Sequence, residues 1–275
     1  AGKDAPVLLI IPGSGPTDRD GNNPMGVSAA PYRMLAEALA AKGVSSVRVD
    51  KRGMFASRAA VADPNAVTIK DYASDTHRWV AAIRQHTGAP CVWVLGHSEG
   101  GLVALAAGQD PAGICGVIAL AAPGRKLGFV LREQLRANPA NAPILDQAMA
   151  AIDQLELGQD VDTAGMPPAL LPLFHPKVQP FLKDLLAQDP AALAASLSVP
   201  LLIVYPEADL QVAMSDAKAL AAAQPKAKLV VVPGANHVLK VPSGAGRPAN
   251  LATYRDPSLP VAEAIVDAIA DFLKR

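Results

Sequence analysis

Short apolar runs alternate with helix-forming segments along most of this chain, and this alternation restricts the possible folds more than any other feature. Six runs are mostly apolar on both faces: VLLII (7–11), SVRVD (46–50), CVWVL (91–95), GVIAL (116–120), LLIVY (201–205) and KLVVV (228–232). Strands that are covered by helices on both sides show this pattern, whereas half-exposed strands alternate apolar and polar residues. We therefore expect a mainly parallel, doubly wound α/β sheet.

The segments between these runs have apolar residues at helical spacing, and they begin and end with residues that are typical of helix termini. Residues 31–43 carry a proline near their start and Gly43 just past their end, which is the usual asymmetry of a helix. Residues 71–88 stop at Gly88 and place four large side chains on one helical face, namely Tyr72, Trp79, Val80 and Ile83. A last amphipathic helix is predicted at 261–273.

Residues 124–200 interrupt the alternation. They contain nine prolines and no strand-like run, but two or three helical stretches, drawn from LGFVLREQLRA, ILDQAMAAIDQLELG and VQPFLKDLLAQ. A compact domain does not usually hold a plain loop of this length. We expect a helical lid at 124–200, inserted between two parts of one core at 1–123 and 201–275.

The charge balance excludes several classes of partner. Lys plus Arg and Asp plus Glu both number 25, so no basic surface for nucleic acid or anionic membranes is indicated. No apolar run reaches the roughly 20 residues of a membrane span, and a soluble protein is expected. The chain begins at Ala1 without a methionine. An upstream segment is therefore a possibility, and the compartment, cytoplasmic or exported, stays open.

Cys91 and Cys115 are the two cysteines of the chain. Two are too few for a disulfide framework or a metal cluster. Both lie at the start of an apolar, strand-like run, so we expect two buried free thiols rather than a disulfide.

The motif GHSEG (96–100) lies between the run CVWVL and the helical segment GLVALAAGQ. The pattern G-x-S-x-G in this strand–turn–helix context places a serine hydroxyl at the tip of a sharp turn. Glycines two residues away on either side avoid backbone clashes in such a turn. Ser98 is therefore the candidate nucleophile.

A serine nucleophile needs a histidine as base and usually an acid that orients it. Of five histidines, His237 in PGANHVLK follows the last predicted strand, at the sheet edge where Ser98 is expected, and is preferred to His77, His86, His97 and His175. For the acid we select Asp209, a few residues past the run LLIVY. Glu207 and Asp216 are the competitors, and Asp216 is expected to cap or open the helix that follows.

An oxyanion hole requires two backbone N–H groups that point at one position. The N–H of Glu99, directly after Ser98, is one candidate, and the glycine-rich segment IIPGSGPTDRDGN (10–22) offers the N–H of Ser14 as the other. The same segment lacks the third glycine of a dinucleotide fingerprint and the Gly and Glu of a calcium loop. We expect no metal and no cofactor, and we expect Asp18, Arg19 and Asp20 to hold this loop in place.

The segments that carry a family resemblance are PGSGPTDRDGN, RVDKRG, GHSEGG, the DLQV that begins at Asp209, and NHVLK. Through these segments the chain resembles a bacterial branch of the α/β-hydrolase superfamily, close to serine aminopeptidase-like hydrolases and carboxylesterases. The resemblance covers nearly the whole chain, and the order Ser98, Asp209, His237 is the order of the catalytic triad in that superfamily. It implies an α/β-hydrolase fold and esterase activity on carboxylic esters without a cofactor. The chain departs from its relatives at RGMFAS (52–57), where they have RGxGxS, and in lacking an N-terminal hairpin before the first strand.

These features predict a serine hydrolase that cleaves small-molecule esters with short to medium acyl chains. A peptidase for short peptides is the alternative, with Asp146, Asp153, Glu156, Asp160 and Asp162 as a possible acidic site for the substrate's amino group. A binding protein that has lost its chemistry is the third hypothesis, and the intact set of triad residues argues against it.

Overall fold

The computed structural model describes residues 5–274, and the core of this part is a parallel sheet of six strands in the order β2-β1-β3-β4-β5-β6. All five strand pairs are parallel. The strands are β1 (Val7–Ile11), β2 (Ser45–Arg48), β3 (Val92–His97), β4 (Ile114–Leu120), β5 (Leu201–Pro206) and β6 (Lys228–Val232). The predicted α/β class is confirmed, and each of the six apolar runs overlaps a strand.

The helices lie between the strands and around the sheet. They are α1 (Pro31–Ala41), α2 (Ile69–Thr87), α3 (Glu99–Ala107), α4 (Leu127–Arg136), α5 (Leu145–Glu156), α6 (Leu171–Phe174), α7 (Gln179–Ala187), α8 (Pro190–Ala195), α9 (Met214–Ala223), α10 (Gly246–Ala252) and α11 (Glu263–Leu273). Short 3-10 turns occupy Phe55–Ala60, Pro139–Ile144 and Thr253–Arg255.

Successive residues of each central strand point into different cores, which explains why the strands are apolar on both faces. Leu8 and Ile10 of β1 belong to the core that also contains residues of α1 and α11. Leu9 and Ile11 belong to the core that contains residues of α2 and α3. Helices therefore cover both faces of the sheet, as in other parallel sheets.

Helix α2 begins and ends as its sequence indicates, with one exception on its apolar face. Thr68 and Asp71 form a reciprocal capping box at its start, and Gly88 has a φ of 74° at its end. Of the four large side chains at helical spacing, Tyr72, Val80 and Ile83 are buried, whereas Trp79 is 40% exposed.

Five helices, α4 to α8, lie between β4 and β5 in the segment where a helical insertion was expected. Ile152 of α5, Leu182 of α7 and Phe174 of α6 are buried and belong to the same core as α2 and α3. The insertion therefore packs against the α2/α3 side of the sheet.

Cys91 and Cys115 form a disulfide, so the expectation of two free thiols was wrong. Cys91 directly precedes β3 and Cys115 is the second residue of β4, and these are adjacent parallel strands. This neighbourhood brings the two Cα atoms to 5.2 Å, well within the range that a disulfide can bridge. The sequence spacing could not show that the two runs would pair in this register.

Within residues 5–274, no helix is both long enough and apolar enough to cross a membrane. The first four residues, where the question of an upstream segment arises, lie outside the described part of the chain.

Candidate active site

The proposed triad residues and the Ser14 donor all lie in loops at the carboxyl edge of the sheet. Ser14 follows β1, Ser98 follows β3, Asp209 follows β5 and His237 follows β6. Ligands bind at this edge in open parallel α/β sheets, because the loops after the strands meet there.

Ser98 occupies the turn between β3 and α3 in a conformation that side chains rarely adopt, with φ 54° and ψ −125°. The turn is possible only because its neighbours lack side chains. A Cβ at Gly96 would lie 1.8 Å from the carbonyl oxygen of Gly100, and a Cβ at Gly100 would lie 2.5 Å from the carbonyl oxygen of Ile11. Backbone strain of this kind clusters at functional sites, and here it presents the serine at the sheet edge.

His237 and Asp209 are in direct contact. The Nδ1 of His237 lies 2.7 Å from Oδ2 of Asp209, and both side chains are almost completely buried. The other carboxylate oxygen of Asp209 accepts hydrogen bonds from the backbone N–H groups of Gln211 and Val212. The carboxylate therefore holds His237 with its proton on Nδ1, which leaves Nε2 available as a base.

The loop that carries His237 is fixed by the buried side chain of Asn236. Its Nδ2 donates to Oγ1 of Thr253 at 2.7 Å and to the carbonyl of Asn250, while its Oδ1 accepts from the N–H of Lys240. The Asn–His pair in NHVLK thus consists of an anchor followed by the candidate base.

The two competitors for the acid have other environments. Glu207 is exposed. Asp216 lies in the first turn of α9, as expected, but makes no capping bond to that helix. Its completely buried carboxylate instead accepts hydrogen bonds from the N–H groups of Gly124 and Arg125 and from the Arg125 guanidinium. Asp216 therefore ties the start of the insertion to α9.

The loop after β1 is held by charged side chains, as the sequence indicates. The Arg19 guanidinium donates to Oδ2 of Asp50, the backbone N–H of Arg19 donates to Oδ1, and Asp20 pairs with Arg48. Asp18 accepts the N–H groups of Asp20 and Asn22 at 2.8 Å each. Burial raises the pKa of Asp50, but its hydrogen bonds from Arg19 and Ala56 outweigh this effect and lower the pKa overall.

Sequence reasoning missed a buried chain of hydrogen bonds behind Ser98. The N–H of Gly13 donates to Oη of Tyr32, whose hydroxyl lies 2.8 Å from Nδ1 of His97, and Nε2 of His97 lies 2.9 Å from the carbonyl oxygen of His237. A carbonyl can only accept, so His97 carries its proton on Nε2 and accepts from Tyr32 at Nδ1. Burial, and then the nearby His237, lower the pKa of His97 well below its usual range, so this imidazole is neutral.

Sequence reasoning also assigned no role to Lys51, which lies in the motif RVDKRG. Its ammonium is buried and contacts Oε1 of Glu99 at 3.1 Å and the carbonyl oxygen of Gly13 at 2.7 Å. One available signal was position, since a charged residue just after a strand of a parallel sheet lies at the functional edge.

Ser98 lies between two cavities of different size and polarity. The larger, about 770 Å³, also contacts Ser14 and Glu99, and its lining is mainly apolar. The insertion contributes part of this lining, including Leu127, Val130, Leu131, Leu173, Phe181 and Leu182. The smaller, about 90 Å³, contains His237 together with Thr17, Asn23, Gln211 and Tyr254. A volume of 770 Å³ is within the usual range for small-molecule sites.

The segment RGMFAS forms part of the rim of the larger cavity. Phe55, at the position where the relatives have the second glycine of RGxGxS, has a φ of 43° and is 45% exposed. The left-handed conformation is strained for phenylalanine and unstrained for glycine. The backbone thus keeps a conformation suited to glycine while a large side chain stands at the rim.

Three of the five acidic residues that the sequence offered as a site for an amino group form ion pairs with neighbouring cations. Asp153 and Glu156 both pair with Arg132, and Asp160 pairs with Lys183. Asp153 and Glu156 belong to the charged surface of α5, which agrees with the simpler of the two interpretations that the sequence allows.

A strained serine after β3, followed in the chain by a hydrogen-bonded Asp–His pair on the loops after β5 and β6, defines the α/β-hydrolase class of protein. The chain matches the model of the alpha/beta hydrolase family over residues 8–252. It belongs to that family.

Known relatives agree with this membership. The chain is 27% identical over 251 residues to Esterase EstD of Thermotoga maritima, a match that covers 88% of this chain and 57% of that protein. The chain therefore spans little more than half the length of this relative. Two solved structures share the fold. The α/β hydrolase GrgF from Penicillium sp. sh18 gives a TM-score of 0.63 at 22% identity, with 100% of this chain and 91% of that chain covered. An esterase from Thermogutta terrifontis gives a TM-score of 0.58 at 19% identity, with 98% and 90% covered.

Proposed function

We propose that this protein is a carboxylesterase-type serine hydrolase that uses Ser98 as nucleophile, His237 as general base and acid, and Asp209 as the group that orients His237. The observation that carries the proposal is the buried hydrogen bond of 2.7 Å between His237 and Asp209 on the cleft that also contains the strained Ser98. The similarity to Esterase EstD supports the choice of an ester as substrate.

In the first half of the reaction, Oγ of Ser98 attacks the ester carbonyl while Nε2 of His237 takes its proton. Asp209 stabilises the resulting imidazolium. The N–H groups of Ser14 and Glu99 bind the oxyanion of the tetrahedral intermediate, a contribution worth roughly 3 kcal/mol for each donor. When the intermediate collapses, the bond to the alcohol oxygen breaks, and His237 transfers its proton to that oxygen.

In the second half, water attacks the acyl-enzyme by the same route. His237 takes a proton from the water and returns it to Oγ of Ser98 when the acid leaves. The sum is one ester and one water converted to one acid and one alcohol, and no step requires a metal or a cofactor.

The two cavities suggest where the halves of the ester bind. His237 must reach the leaving oxygen, so the alcohol is placed in the small polar cleft that His237 lines. The acyl group then extends into the larger apolar cavity beside Ser14 and Glu99. We propose that residues 124–200 act as a lid over this acyl cavity and that the rest of the chain, 1–123 and 201–275, forms the core.

The preferred acyl chains in this proposal are short to medium in length. Each buried methylene gains about 0.8 kcal/mol until the chain meets the wall of the cavity. Hydrolysis of p-nitrophenyl esters from acetate to palmitate tests this directly. The expected kcat/KM is highest from acetate to hexanoate and falls steeply for long chains. A profile that still rises at palmitate would refute the preference for short to medium acyl chains, and turnover of aminoacyl-arylamides in preference to esters would favour the peptidase instead.

The nucleophile is tested in the same assay with Ser98→Ala. Loss of a triad nucleophile costs on the order of a million-fold in rate, while the circular dichroism spectrum and melting temperature should stay close to those of the wild type. Turnover within tenfold of the wild type would refute the assignment of Ser98.

A further inference from the structure

Lys51 and Glu99 form a buried ion pair that the proposed reaction does not use. Both side chains are 6% exposed or less, and the ammonium also lies 5.2 Å from the centre of the Tyr72 ring. Removing two charges from water is expensive, and apolar side chains of similar size are often as stabilising as a buried pair. Stability alone therefore does not account for charges at this position.

The third contact of Lys51 is with the loop after β1, which carries Ser14. Its Nζ donates to the carbonyl oxygen of Gly13 at 2.7 Å. This carbonyl and the N–H of Ser14 belong to the same peptide group, which is planar and trans, so that the two bonds point in opposite directions. Fixing the carbonyl at Lys51 therefore fixes the direction of the Ser14 N–H.

Gly13 is restrained on its other side as well. Its own N–H donates to Oη of Tyr32 at 3.1 Å. A Cβ at Gly13 would lie 3.3 Å from Cβ of Ser98, so the loop packs closely against the turn that carries the nucleophile. Small rotations of the Gly13 carbonyl would thus change the distance from the Ser14 N–H to an oxyanion on Ser98.

The ammonium of Lys51 also binds the carboxylate of Glu99, at 3.1 Å. The backbone N–H of Glu99 is the second proposed oxyanion donor, at the first residue of α3. Lys51 is thus within hydrogen-bond distance of both segments that supply a proposed oxyanion donor, the loop that carries Ser14 and the start of α3 at Glu99.

We propose that Lys51 is a positioning residue for the oxyanion hole, holding the Gly13 carbonyl and the Glu99 carboxylate so that the N–H groups of Ser14 and Glu99 converge. This inference rests on the proposed esterase function. Lys51 acts through the backbone of its neighbours, and it contacts neither the nucleophile nor the base.

The test compares Lys51→Met, which keeps the apolar stem and removes the ammonium, with the double variant Lys51→Met/Glu99→Leu. The double variant leaves no unpaired buried charge and retains the Glu99 backbone N–H, so it reports on the inference even where the single variant does not fold. Lys42→Met is the matched control, since Lys42 pairs with Asp267 between α1 and α11, away from the site.

The measured quantities are kcat, KM and the affinity for a trifluoromethyl ketone, which forms a tetrahedral oxyanion on a catalytic serine. Loss of one well-placed oxyanion donor costs on the order of a hundredfold to a thousandfold in kcat. We expect both Lys51 variants to lose at least a hundredfold in kcat with KM within threefold, and to bind the ketone more weakly by a similar factor. The control variant should keep wild-type values.

A folded double variant with kcat and ketone affinity within threefold of the wild type would overturn the role of Lys51. A drop in kcat without a matching loss of ketone affinity would also overturn it, because the defect would then lie outside the oxyanion hole. Failure of the wild type to hydrolyse any ester would instead refute the proposed function, which the same assay detects separately.

Discussion

Removing the disulfide should destabilise the protein without changing its chemistry. The perturbation is the double substitution Cys91→Ala/Cys115→Ala. The bond links residues 24 positions apart at the starts of β3 and β4, which is the end of the sheet opposite Ser98. Its removal therefore frees the unfolded chain while leaving the carboxyl edge in place.

The size of the effect follows from the length of the closed loop. A loop of this length gives about 3 kcal/mol of stabilisation at 25 °C in the chain-entropy model. Unfolding entropies of roughly 2 cal/mol/K per residue make about 3 kcal/mol equivalent to a fall of roughly 5 °C in melting temperature for a chain of 275 residues.

Differential scanning calorimetry of the wild type and the double variant, each with and without reductant, measures this effect. Reductant should lower the melting temperature of the wild type towards that of the variant and leave the variant unchanged, with equal kcat/KM for both proteins at 25 °C. A difference below 1 °C between the two proteins, or two alkylatable thiols in the denatured, unreduced wild type, would refute the reasoning.

Three further perturbations test separate parts of the site. Asp209→Asn should reduce kcat by about ten-thousand-fold through loss of imidazole orientation. Asp216→Asn should instead weaken the bonds to Arg125, lower the free energy of unfolding by about 2 kcal/mol and leave kcat within tenfold. Kinetics combined with urea unfolding measures both effects, and a large loss of kcat in Asp216→Asn but not in Asp209→Asn would contradict the choice of the acid. His97 has a lowered pKa in the folded state, so its contribution to stability is present above its unfolded pKa near 6.5 and is lost as pH falls towards the folded value, at about 1 kcal/mol per pH unit. Urea unfolding between pH 7.5 and 5 should therefore show a smaller dependence of the unfolding free energy on pH for His97→Asn than for the wild type. Equal dependences would contradict the neutral imidazole. Phe55→Gly should relieve a left-handed backbone and raise stability by about 1 kcal/mol while raising KM for hexanoate esters more than for acetate, and an unchanged melting temperature would show that the strain is absent.

The sequence was sufficient for the sheet because parallel strands that are covered on both faces must be apolar along their whole length. All six runs became strands, and the GHSEG turn lies where the strand and helix around it indicated. The location of Ser98, Asp209 and His237 at one edge of the sheet could be predicted for the same reason, since each follows a strand whose end is fixed by the fold.

The sequence was insufficient where a residue's environment depends on contacts between distant segments. The disulfide requires the register of β3 against β4, which spacing alone does not give. Trp79 has helical spacing with buried residues but is itself 40% exposed. The environment of Lys51 depends on Gly13 and Glu99, which are 38 and 48 residues away along the chain.

Asp216 shows the same limit in another form. Its position three residues into α9 suggested a role within that helix, and its carboxylate instead binds Arg125, 91 residues earlier in the chain. An acidic residue near a helix start has the same local pattern in both cases. Only the packing of α9 against the beginning of the insertion distinguishes them.

The most direct measurement of the central claim is covalent trapping with a fluorophosphonate, followed by intact-mass analysis and peptide mapping. A bond forms between Oγ of an activated serine and phosphorus, and fluoride leaves. We predict one adduct per chain, located on Ser98, absent in Ser98→Ala and formed far more slowly in a folded His237→Ala variant. Labelling of a different residue, or equal labelling of the wild type and Ser98→Ala, would contradict a serine hydrolase built on Ser98, His237 and Asp209.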